Sequence, residues 1–90
     1  MPEISRFLGI IIRMFFIRAE HNPPHFHAYY SGRSAVFVID TLEVIEGNLP
    51  PRIRGLVVEW AEIHQKELKR NWDLLQNDQF EKIHKIKPLV

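Results

Sequence analysis

Residues 25–40 alternate with period two on either side of Ser31-Gly32-Arg33, the pattern of a β-hairpin. The two-residue loop is either Ser31-Gly32 or Gly32-Arg33, and both give the same side-chain faces. One face carries Phe26, Ala28, Tyr30, Ala35, Phe37 and Ile39. The other carries His25, His27, Tyr29, Ser34, Val36, Val38 and Asp40. Upstream, Leu8 to Ile17 is rich in β-branched and aromatic residues and reads as one strand apolar on both faces, broken only by Arg13. Such a strand is central in a sheet or covered by a second subunit, so a homodimer is expected. A short strand over Leu42 to Ile45 follows a turn at Asp40-Thr41.

Gly47-Asn48-Leu49-Pro50-Pro51 ends the strands and opens a helix, with Asn48 as the cap and proline in the first turn. The helix is expected from about Pro51 to Gln76. Ile53, Leu56, Val57, Trp60, Ile63, Leu68, Leu74 and Leu75 form its apolar stripe at about 100° per residue. Trp60 and Trp72 are expected in the core. Lys82 to Lys87 is expected to add an edge strand whose lysines discourage aggregation. The expected architecture is a single domain over 1–90, of class α+β: an antiparallel sheet of four to five strands packed against one long helix.

Composition excludes several classes. Ninety residues hold one small core. With 46% hydrophobic and 26% charged residues the chain is neither disordered nor low in complexity. The absence of cysteine removes disulfides, a thiolate nucleophile and cysteine-based metal sites, and a cytoplasmic location is expected. A net charge of +1 is too balanced for a DNA-coating protein. The apolar run before Ile17 is interrupted by Arg13 and lacks a cleavage site, so it is not read as a signal peptide. At about 11 residues it also falls short of the roughly 20 that span a bilayer. No phosphate-binding glycine loop, nucleophile elbow or dinucleotide fingerprint is present.

The chemistry-bearing feature is His21-Asn22-Pro23-Pro24-His25-Phe26-His27, which holds three of the five histidines. Period two places His25 and His27 on one strand face, close enough to share a metal ion or an anion. His21, on the proline loop, could fold back as a third ligand, and imidazole-rich coordination suits zinc, nickel or copper. Glu20 and Asp40 are the nearby carboxylates. On the helix, His64, Glu67 and Asn71 fall near the middle of the apolar stripe. Leaving them buried and unpaired would cost about 1–3 kcal/mol each.

Two arrangements follow. If the helix covers the histidine face, His25, His27, His64 and Glu67 converge, with His21 at the rim. That set holds a metal, or works as a histidine acid–base system on an RNA 2′-hydroxyl in a toxin-like ribonuclease. If the helix covers the Phe26/Phe37 face, His25 and His27 meet solvent or another subunit. His64 and Glu67 then bond backbone at the helix border or pair with Arg13. In that case the strand face bearing His25, His27 and Tyr29, with His21 and Asn71 as further binding candidates, is an interaction surface. Its expected partner is a protein, and nucleic acid is the other candidate.

Met1 to Ile10 (MPEISRFLGI), Glu20 to Ala28 (EHNPPHFHA), Leu42 to Pro50 (LEVIEGNLP) and Glu59-Trp60-Ala61 with His64, Glu67-Leu68 and Asn71-Trp72 resemble the bacterial domain-of-unknown-function family DUF4160 over essentially the whole chain. The resemblance implies a small bacterial protein, often encoded beside a second small protein in a toxin–antitoxin-like or regulatory pair. It carries no established catalytic residue. Ile17-Arg18-Ala19 departs from the family, whose members usually carry a more acidic, turn-like segment there.

Overall fold

The computed structural model describes residues 3–15 and 23–90. His21, and with it the proposed third ligand, lies outside the described residues. Five strands form one antiparallel sheet in sequence order: β1 (Glu3–Phe7), β2 (Ile10–Arg13), β3 (His25–Tyr30), β4 (Arg33–Val38) and β5 (Val44–Gly47). Two helices follow, α1 (Pro51–Ile63) and α2 (Gln65–Gln76), then a 3-10 turn over Phe80–Lys82. The class is α+β.

The described part of the single strand expected over Leu8 to Ile17 is instead the second half of a hairpin, β2. Leu8 and Gly9 have φ of +50° and +80°, so the chain reverses in a tight turn there. Phe7 pairs with Ile10 across it. Glycine tolerates this backbone, and Leu8 points its side chain to solvent. Ile10, Ile12 and Met14 are fully buried within the chain. That face of the apolar run therefore has an intrachain cover, while Ile11 and Phe15 on the other face remain half-buried.

The β3–β4 hairpin takes the Ser31-Gly32 loop, with Tyr30 opposite Arg33 and Phe26 opposite Phe37. The facing pattern is the one the alternation implies. β5 starts two residues later than expected, and its glycine end pairs with Ala35.

α1 covers the Phe26/Phe37 face. Trp60 is fully enclosed, 5.6 Å from the Phe7 ring and 5.9 Å from Phe26, which stacks on Phe37 at 5.3 Å. The choice follows from area. That face offers Ile10, Ile12, Phe26, Ala28, Ala35 and Phe37, whereas covering the other would desolvate Arg13 and His27, which remain half-exposed. α1 opens on Pro50 with proline at its first position, and no side chain caps it, so Asn48 is not the cap.

One long helix is not what forms. A continuous helix over 51–76 would run about 39 Å at 1.5 Å per residue, beyond the 34 Å greatest extent of the molecule. The chain breaks at His64 (φ −117°, ψ 23°), whose N–H donates to Ala61 O at 3.0 Å. Gln65 Nε2 then donates to Ile39 O at 2.9 Å and anchors the start of α2 to the end of β4. The change of direction leaves Ile63, expected in the stripe, exposed.

The tail forms no edge strand. It is coil, held by Ile86 N–H donating to Ile4 O at 2.7 Å and by burial of Ile86.

Candidate functional site

β3 sits at the centre of the sheet, and its odd-numbered side chains line the face that α1 leaves. His25 and His27 are adjacent, with ring centroids 5.5 Å apart. Pro23-Pro24 leads stiffly into the strand, and His25 Nδ1–H donates back to Pro23 O at 2.8 Å. The His25 ring is enclosed and lies 5.0 Å from Trp72 of α2. His27 is half-buried: Phe15 meets it edge-on at 4.6 Å, and Tyr29 lies nearly parallel to it at 6.3 Å. Burial, then the neighbouring His25, hold the His27 pKa below the ordinary histidine value, while Glu46 pulls the other way. Its Nδ1 is enclosed with no hydrogen-bond partner among the described residues.

Arg13, directly opposite His27 on β2, completes the cluster. Its guanidinium lies 5.3 Å from the centre of the Tyr29 ring, a cation–π contact. Sequence reasoning treated Arg13 as an interruption of the apolar run or a partner for His64 and Glu67. Its place beside His27 depends on the β2–β3 register, which was not legible locally.

His64 and Glu67 do not join His25 and His27. His64 Nδ1–H donates to Glu67 Oε1 at 2.6 Å, and the imidazole packs against Trp60 at 5.6 Å. The pair spans the first turn of α2, with the histidine at the cap and the carboxylate three residues on, and the two side chains bond each other rather than the backbone. The expected four-residue constellation thus separates into two pairs, because α1 lies on the opposite face from the β3 imidazoles. Among the described residues no three His, Cys, Asp or Glu side chains gather in a group able to hold a metal ion. Asn71 is fully buried, and its Nδ2 donates to His84 O at 3.0 Å, fastening the tail. Glu67 does not pair with Arg13.

Beyond Tyr29, a cleft of about 350 Å³ lies between the hairpin ends, lined by Gly9, Ile11, Tyr29, Tyr30 and Ser31 to Ser34. It contains no carboxylate. A larger groove of about 550 Å³ runs along Lys66, Lys69, Arg70 and Asp73 of α2 and includes none of the histidines. Among the described residues no helix is long and apolar enough to cross a membrane.

No curated protein and no solved structure matches the chain. The profile of a domain of unknown function, DUF4160, matches residues 9–73, which include all five strands save β1, all of α1 and most of α2. The chain belongs to the DUF4160 family.

Proposed function

We propose that this chain is a small interaction protein of a paired bacterial gene module, toxin–antitoxin-like in organisation and cytoplasmic, that docks a protein partner on the sheet face of His27, Tyr29 and Arg13. One observation carries the reading. This cluster of half-buried aromatic and cationic side chains stands on the face opposite α1, with polar nitrogen atoms left unpaired. Interface centres favour tyrosine and arginine in this way. A ribonuclease working through His25 or His27 with His64 or Glu67 has less support. The His25 ring is enclosed, and the Glu67 carboxylate is engaged by His64. A zinc or nickel site on His21, His25 and His27 draws only on the closeness of two of the three rings.

The partner to test first is the product of the neighbouring gene, which the family resemblance points to. Co-expressed with it, the wild-type chain retains the partner through purification. Tyr29→Ala and His27→Ala weaken the complex by about tenfold or more, the effect expected for residues at an interface centre. A complex unchanged by both substitutions, with backbone spectra showing folded variants, overturns the reading.

A further inference from the structure

Two enclosed nitrogen atoms on the docking face, Arg13 Nε and His27 Nδ1, have no hydrogen-bond partner among the described residues. They belong to one cross-strand pair, and both residues are half-buried, so part of each reaches the surface. Tyr29 lies against both: under the guanidinium at 5.3 Å, and within 13° of parallel to the imidazole. A guanidinium offers five donors and no acceptor, and a ring nitrogen carrying hydrogen adds another donor. What the pair lacks is an acceptor with more than one oxygen. Building on the docking reading above, we infer that Arg13 and His27 seat a carboxylate from an acidic segment of the protein partner.

The charge layout selects a single carboxylate over a polyanion. Glu3 pairs with Arg13, Arg13 with His27, His27 with Val36 and Val36 with Glu46, so this row across the sheet begins and ends in carboxylates. Glu3 makes its ion pair with Arg6 at 2.7 Å, and Arg13 acts on it only as a more distant charge. One carboxylate fits between the two ends of the row. A nucleic-acid strand draws its affinity from a succession of cations, and here its further phosphates would meet Glu3 and Glu46. Half-buried Ile11 and Phe15 lie beside the pair, an apolar surround that favours a forked guanidinium–carboxylate contact.

The full chain, labelled with nitrogen-15, is titrated with a capped pentapeptide holding one glutamate among glycines, the same peptide with glutamine in that place, and single-stranded oligouridylate. The readout is the Arg13 side-chain Nε–H and the His27 ring. The glutamate peptide is expected to move both signals, more strongly at low salt, while the glutamine peptide leaves them in place. Arg13→Gln weakens binding of the glutamate peptide by about tenfold, the size expected for a charge-assisted bond. Arg13→Lys, which keeps the charge and lacks the fork, falls between. Equal response to the glutamine peptide, tighter binding of oligouridylate, or an undiminished Arg13→Gln overturns the inference, and the wild-type comparison needs no variant to fold. The natural complex separates the two readings. If it survives Arg13→Gln but not Tyr29→Ala, docking on this face stands and the carboxylate seat falls. If it survives Tyr29→Ala, the docking face falls, and the peptide titration still decides the seat.

Discussion

His27 shows how much one position on a strand can carry. Its parity is set by the hairpin alternation, yet its chemistry comes from β2 and β5. Arg13 stands opposite it, His25 and Tyr29 flank it on its own strand, and Glu46 lies two strands away on the same row. Burial and His25 favour the neutral ring, so the folded pKa lies below the unfolded value of 6.5. The unfolded chain takes up the proton first as pH falls. The stability tied to a neutral His27 is therefore fully present above 6.5 and is lost as pH falls from there through the lower folded value. Wild type should lose more of its melting temperature than His27→Gln between about pH 7.5 and about pH 5. Equal losses would show that another group governs the acid limb.

The break between α1 and α2 belongs to the scale of elements. The residue pattern over 51–76 is helical throughout, with no proline inside to stop it. The backbone leaves helical geometry at His64, and His64 with Glu67 marks the new start through a hydrogen bond of 2.6 Å. The imidazole is largely enclosed and the carboxylate about two-fifths exposed, so solvent screens the pair in part. Glu67→Ala is expected to lower stability by about 0.5–1.5 kcal/mol, read from the urea midpoint. Because the pair is local to the junction, the same substitution should leave partner binding unchanged. Loss of binding without loss of stability would return Glu67 to the list of functional residues. The two polar helix residues that sequence reasoning singled out for chemistry thus have an architectural task at the turn between helices.

At the scale of the molecule, the tail closes the fold without forming a strand. Trp60 Nε1–H donates to Lys87 O at 2.9 Å, Asn71 Nδ2 to His84 O at 3.0 Å, and Ile86 N–H to Ile4 O at 2.7 Å. β1, at the start of the chain, and both helices are tied through one short segment. Removing residues 84–90 uncovers the buried Ile86 contact and leaves two enclosed side-chain donors unpaired. The expected loss is about 3–5 kcal/mol, from roughly 1.5–3 for the isoleucine and the remainder for the donors. For a domain of this size that is a large share of the usual total. A urea midpoint unchanged by the truncation would show that the tail is an appendage and that Trp60 and Asn71 are satisfied without it.

Local periodicity determined the facing of β3 and β4, the closeness of His25 to His27, the helical character of 51–76 and the burial of both tryptophans, because these depend only on spacing along the chain. The turn at Leu8-Gly9 was written in the sequence as well, but the strength of the surrounding apolar run hid it. Tertiary structure alone decided which face α1 covers, since that depends on apolar area summed over strands that do not adjoin in sequence. It also decided where the helix breaks, since the residue pattern stays helical across the junction. The same sums carried His64 and Glu67 away from the β3 imidazoles and brought Arg13 beside His27, so the candidate site is a cross-strand cluster rather than a pocket between helix and sheet.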